Sequence, residues 1–184
     1  MAISGLVITY NEEKNIGKCI DALFEVCDEV IIVDSLSADN TVKIAEEKGA
    51  KVISQKFLGD GPQRTHGLPF CKNDWILNLD ADEFLDKDAK EFILKEKYLE
   101  GNYDAFSFRV KNFLADELID FSGWYPDHKV RFFNKKTAKP SEAKVHQKIE
   151  TTNEKKVAVH ILHYGWESFE QIIAKKNQYS TWHA

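Results

Sequence analysis

Two short, largely apolar runs, Ile3 to Thr9 and Glu29 to Val33, bracket a segment in which Ile16, Cys19, Ile20, Leu23, Phe24 and Cys27 recur every three or four positions. Strands this apolar belong in a parallel sheet covered on both sides, and the spacing between them predicts a helix with all six residues on one face. Strand, helix and strand within about 30 residues make a βαβ unit. The rhythm then repeats. Asp39 is placed to cap a helix that runs through Glu47 and stops at Gly49, and Lys51 to Ser54 supplies a third strand. Pro62 opens a short helix to about Cys71, Trp75 to Leu79 is a fourth strand, and Asp86 caps a helix expected to stop near Gly101.

Beyond that point the pattern changes to aromatic and β-branched runs. Tyr103 to Phe113, Lys129 to Phe133 and Val157 to Leu162 read as antiparallel strands, a strand-rich cap on a doubly wound first half. From Glu167 the chain returns to helix, with Phe169, Ile172 and Ile173 on one face; its end at Ala184 without a glycine or asparagine cap reads as a truncated end or a helix that docks elsewhere. The fold class expected is therefore α/β.

The 184 residues, 43 % of them hydrophobic, suffice for one domain with a core. Asp and Glu outnumber Lys and Arg by 30 to 25, which argues against broad electrostatic binding to nucleic acid or anionic lipid. No window approaches the roughly 20 apolar residues that span a bilayer, and the start of the chain reads as a first strand rather than a leader. Cys19, Cys27 and Cys71 form no paired framework, as expected of reduced thiols in a cytoplasmic setting.

Ligands of an open α/β sheet bind beyond the carboxyl ends of its parallel strands. Here those ends are Thr9-Tyr10-Asn11-Glu12-Glu13, Asp34-Ser35 and Asp80-Ala81-Asp82-Glu83. Converging carboxylates repel unless a cation sits among them, and oxygen ligands favour Mg²⁺ or Mn²⁺. Asp80 and Asp82 are two apart, so in extended chain they point the same way and serve one ligand together. A cation held by one or two carboxylates keeps positions open for substrate phosphates, which reads as a nucleoside diphosphate site. The first turn carries neither a GxGxxG nor a P-loop pattern, which speaks against a dinucleotide-binding oxidoreductase, and there is no GxSxG hydrolase elbow.

The motifs ITYNEEKNI, IIVDSLSADNT and WILNLDADEFL together resemble the donor-binding half of family 2 glycosyltransferases of the GT-A fold. GWYPDHKVRFFNKK and KVHQKI are similar to the bacterial subgroup that builds lipopolysaccharide or lipooligosaccharide core, including its β-1,4-glucosyltransferases. The resemblance implies a Rossmann-like, mostly parallel sheet flanked by helices, with residues 1–101 as the nucleotide-sugar-binding half and 102–184 as the acceptor-side half. It also implies an inverting, metal-dependent transfer of a hexose from a UDP-sugar to a glycan or lipid-linked oligosaccharide, at the cytoplasmic face of a membrane with which the protein associates peripherally. A binding or scaffold protein of the same fold is the alternative.

Carried over by position, Thr9, Tyr10, Asn11 and Glu12 would line the uridine pocket, Asp34 would contact the uracil ring, and Asp80, Ala81 and Asp82 would form the DxD segment. Asp82 would be a direct metal ligand, Asp80 a ligand of ribose or metal, and His146 a third metal ligand or a diphosphate contact. Arg64 and Arg131 are candidates for the diphosphate, each balanced by a surface or ion-pair role. Inversion needs a carboxylate to take the acceptor's proton; Asp127 is preferred and Glu142 is the runner-up. Gln147 stands where related sequences carry Glu, and an amide cannot accept that proton. His160 and His163 are spaced like a metal pair on a helix, but on a strand they face opposite ways, and His163 is expected to border the cleft.

Overall fold

The computed structural model describes residues 1–120, 125–144, 147–166, 168 and 170. In chain order it holds β1 (Ile3–Thr9), α1 (Ile16–Phe24), β2 (Glu29–Asp34), α2 (Thr41–Glu47), β3 (Lys51–Ser54), α3 (Asp60–Gly67), β4 (Trp75–Asp80), β5 (Glu83–Leu85) and α4 (Lys87–Leu94). There follow β6 (Ala105–Leu114), β7 (Glu117–Ile119), β8 (Asp127–Asn134), β9 (Lys139–Pro140), β10 (Ile149–Glu150) and β11 (Glu154–Trp166). The expected helix beyond Glu167 lies almost wholly outside the described residues.

The expected βαβ units are present. β3, β2, β1 and β4 lie side by side in that order, all parallel, the arrangement of a Rossmann-like half. α1 buries Ile16, Cys19, Ile20 and Leu23 against this sheet. Phe24, expected on the same face, is instead 40 % exposed, because the helix ends there and Cys27 reaches the core from the turn that follows. All three cysteines are free and buried. α3 is pressed so closely onto β1 and β2 that a Cβ on Gly67 would come within 2.6 Å of Leu6 and 2.7 Å of Val33. Asp39 fastens the start of α2 from one position before the cap, its carboxylate accepting from the Thr41 amide at 3.0 Å.

The second half departs from expectation in two ways. Its strands extend the first-half sheet into nine strands rather than sitting apart as a cap: β8 pairs antiparallel with β4, β6 antiparallel with β8, and β11 and β5 complete the order. The reason is an aromatic seam. Trp75 of β4 stacks on Phe132 of β8 at 4.9 Å, and Tyr98 meets the same ring edge-on at 4.9 Å, with Phe106 of β6 close by. Second, β11 runs parallel to β6 and antiparallel only to β5. α4 also stops at Leu94, short of the expected Gly101, because Glu96 takes a left-handed φ of 51° and the chain continues as a short 3₁₀ turn, Lys97–Leu99.

These directions place the site. β1, β2, β4, β6 and β11 all run the same way, so both halves deliver carboxyl ends to one edge of the sheet, where β8 and β5 begin.

Candidate active site

At that edge lies a cleft of about 440 Å³. Its walls come from the segment after β1 (Asn11 to Asn15), Asp39, Asp82 after β4, Ala115 and Asp116 after β6, and Tyr164 to Trp166 at the end of β11. Glu12, Glu13, Asp39, Asp82 and Asp116 make it strongly acidic, with Lys14 the one basic residue among the described lining. A bare cleft of this charge repels a pyrophosphate, so an anionic substrate needs a cation there.

Asp82 lines this cleft, and His163 stands against it from behind. The Asp82 carboxylate stands 3.5 Å from His163 Nε2, both side chains largely buried. His163 Nδ1 lies 2.7 Å from the side-chain oxygen of Asn112, which can only accept, so the Nδ1 proton is donated there and Nε2 is turned toward Asp82. Burial works against a charged imidazole, yet the hydrogen bond and charge of Asp82, with Glu83 behind it, hold the His163 pKa above the ordinary histidine value. Gly165 leaves the space beside the pair open: a Cβ there would lie 2.6 Å from His163 Nε2 and 3.4 Å from the Asp82 carboxylate. An oxygen and a nitrogen aimed at one small space, with the histidine held from behind, suit a divalent cation of the Mg²⁺ or Mn²⁺ type. Among the described residues no third acidic, histidine or cysteine ligand joins them, so the remaining positions would fall to substrate and solvent.

Asp80 is used differently from Asp82, contrary to the expectation that they serve one ligand. β4 ends at Asp80 and the chain turns through Ala81 and Asp82 before β5, so the alternation of an extended strand does not carry across. Arg64 of α3 binds Asp80 Oδ1 and reaches the Asn78 side chain at 2.7 Å. Arg131 of β8 bridges Asp80 Oδ2 at 2.8 Å and Glu83 Oε1 at 2.5 Å. Burial alone would raise the Asp80 pKa, but the two guanidinium groups overcome it and hold the carboxyl well below its usual range. Glu83, which resembles one more acid of a rim, is fully buried. Cations supplied by the chain thus neutralise part of the acidic strand end, and both arginines brace it from within rather than lining the cleft.

The other positions divide likewise. Asn11, at φ 53°, clamps two loops: its amide donates to Ser37 Oγ and its side-chain oxygen accepts from the Ala38 amide. Glu12 accepts from the Asn15 side chain at 2.9 Å and lines the cleft. Tyr10 stands at the rim, 60 % exposed, while Thr9 and Ala81 are buried. Asp34, expected at the uracil ring, is 1 % exposed and accepts from the Ser37 amide at 2.9 Å and hydroxyl at 2.5 Å, so it secures the β2 loop in this structure. Asp127 begins β8 at the site edge, 4.0 Å from Lys129, and Glu142 is exposed beside the start of α3; neither lines the main cleft. His146 lies outside the described residues. Gln147 lines a smaller cavity with Lys129 and Arg131, its side-chain oxygen buried without a partner among the described residues. His160 and His163 do not share a site: His163 meets Asp82, and His160 binds Asp86. Asp116, Gly165 and the Asn112–His163 pair were missed, since their convergence on Asp82 depends on strand order.

A parallel, Rossmann-like half and a mixed extension thus meet at one acidic edge of a single sheet. The model of glycosyl transferase family 2 matches residues 4–151, and the chain belongs to that family. An uncharacterized glycosyltransferase of Rickettsia bellii is 34 % identical over 97 % of this chain and 65 % of its own length, so the chain spans just under two thirds of that relative. A lipopolysaccharide core biosynthesis glycosyltransferase, LpsC of Rhizobium meliloti, is 36 % identical over 50 % of this chain and 36 % of its own. The crystal structure of Staphylococcus aureus TarS 1–349 in complex with UDP-GlcNAc superposes with a TM-score of 0.61 at 19 % identity, covering 91 % of this chain and 60 % of that one, which shows a shared GT-A fold. Among the described residues no helix is long and apolar enough to cross a membrane.

Proposed function

We propose that this chain carries the donor site of an inverting, cation-dependent hexosyltransferase that moves a sugar from a UDP-sugar to a glycan acceptor of lipopolysaccharide or lipooligosaccharide core, at the cytoplasmic face of the membrane. The observation that carries the reading is Asp82 in the wall of an acidic cleft with His163 against it, the histidine held by Asn112 and the space beside the pair kept open by Gly165. The LpsC likeness supports the acceptor class.

Asp82 and His163 would hold Mg²⁺ or Mn²⁺, which when bound neutralises the charge that grows on the departing diphosphate. Glu12 and the rim around Tyr10 would receive the nucleoside, while Arg64 and Arg131 keep Asp80 and the end of β4 fixed, so the donor site is organised before substrate enters. In a single displacement the acceptor hydroxyl attacks the anomeric carbon, the bond to UDP breaks, and a carboxylate takes the hydroxyl proton. Asp127, part-exposed at the amino end of β8 and on the same edge as the cleft, is assigned that proton.

The test is turnover of UDP-glucose with Mn²⁺, in hydrolysis and with a core oligosaccharide acceptor, beside calorimetric UDP binding. Asp127→Asn should lower turnover far more than UDP affinity. UDP binding with no turnover under any acceptor would favour a scaffold, the reading to which Gln147 lends weight.

A further inference from the structure

The face of the sheet turned away from His163 carries an unused set of charged groups. Along β6 burial alternates, and Arg109, Lys111 and Phe113 occupy the half-open side. Arg109 pairs in register with His128 of β8 and with His160 of β11, so three nitrogen-bearing side chains stand directly abreast on adjacent strands. Residues so paired have Cβ atoms about 5 Å apart, which sets the Arg109 guanidinium between two imidazoles rather than opposite an acid. The nearby carboxylate is already committed: Asp86 Oδ1 caps α4 through the Ala89 amide at 2.8 Å, and Oδ2 accepts from His160 Nδ1 at 3.0 Å. His160 Nε2 in turn accepts from the Tyr125 hydroxyl at 3.2 Å, which locks that imidazole and closes one side of the row. Asp127 and Lys129 alternate to the other face. Arg109 Nε and His128 Nδ1 are buried without a partner among the described residues, and no carboxylate among them pairs with Arg109.

We propose that this face is an anion-binding subsite for the acceptor, anchored by Arg109 with His128 beside it, and that the acceptor is an extended glycan bearing a carboxylate or phosphate. This inference rests on the transferase reading above. The path from the cleft is marked by aromatic rings. Tyr164 lines the cleft and stacks on Phe113 at 4.6 Å and 11°, and Phe113 is four residues along β6 from Arg109, about 13 Å in a strand. A ring platform followed by a guanidinium fits a sugar unit held by its face and a charged group further along the same glycan. The charge therefore lies on a neighbouring unit and not on the hydroxyl that reacts.

The experiment is a titration of the intact chain, followed by ¹H–¹⁵N spectra that include the arginine Nε–H signals, with glucose 6-phosphate, glucuronate and glucose at equal ionic strength. UDP affinity is measured in parallel by calorimetry. One of the charged sugars should saturate at a concentration at least tenfold below that needed for glucose, moving the Arg109 Nε–H signal, and whichever saturates first identifies phosphate or carboxylate as the group read. Arg109→Met should erase the preference and Arg109→Lys should keep part of it, with folding of both verified by circular dichroism. An equal response to all three sugars, or a preference that survives Arg109→Met, overturns the proposal; the wild-type signals decide even if a variant does not fold. UDP binding without the anion preference sinks this subsite alone, whereas the anion preference without UDP binding sinks the transferase reading and leaves the subsite standing.

Discussion

Replacing Arg131 by methionine isolates the strut under the donor site. Arg131 is 4 % exposed, and one of its terminal nitrogens serves two carboxylates, Asp80 and the fully buried Glu83. The variant keeps most of the apolar stem but leaves Glu83 in the interior with, among the described residues, only the Asp80 amide, 3.0 Å from its second oxygen, as a partner. Asp80 still has Arg64, so the loss is concentrated at Glu83. Breaking a buried ion pair from one side costs about 3–5 kcal/mol, against at most about 1 kcal/mol for an exposed pair. For a chain of this length that corresponds to a fall in Tm of roughly 6–20 °C. Urea unfolding at neutral pH, with an unchanged m-value, gives the number directly. Adding Glu83→Gln to Arg131→Met removes the stranded charge and should recover most of the loss. A cost below about 1 kcal/mol, or a double variant no better than the single one, would refute the claim that Glu83 and Arg131 form a buried pair, since a solvated pair behaves in that way.

Gly165→Ala should weaken Mn²⁺-dependent thermal stabilisation at least tenfold in concentration, with little change in the metal-free Tm, because the new methyl must push His163 from a Cβ position only 2.6 Å from Nε2; thermal shift with and without Mn²⁺ reads this. Asp80 has a folded pKa below its unfolded value, so its contribution to stability is complete above about pH 4 and is lost as pH falls toward the folded value. Unfolding followed from pH 6 to pH 2 should show that loss in the wild type and a shallower slope in Asp80→Asn; identical slopes would mean that Arg64 and Arg131 do not act on Asp80.

How much of this could be read from the residues follows from the range of each signal. The βαβ rhythm, the helix cap at Asp86 and the acidic strand ends are local patterns, and the fold follows them, whereas the cap expected at Asp39 falls on Asn40, with Asp39 one position before it. The direction of β11 left no mark, because a period-2 run looks the same beside a parallel or an antiparallel neighbour. Glu83 is adjacent to Asp82 and chemically alike, yet it is buried, because a turn of two residues starts a new strand that aims it at Arg131, 48 positions away. The Asn112–His163 contact spans 51 positions and has no local trace. Asp80 and Asp82 take different partners for the same reason, Arg64 and Arg131 against His163: the alternation rule holds within a strand and ends where the strand does.

The central claim is that UDP enters this cleft only when a cation shared by Asp82 and His163 is present. Calorimetric titration of UDP into the wild-type chain and into Asp82→Asn, each with Mn²⁺ and again with EDTA, tests it most directly. Binding in the wild type with Mn²⁺ and its loss in the other three samples is the predicted result; UDP affinity in Asp82→Asn with Mn²⁺ equal to that of the wild type would contradict it.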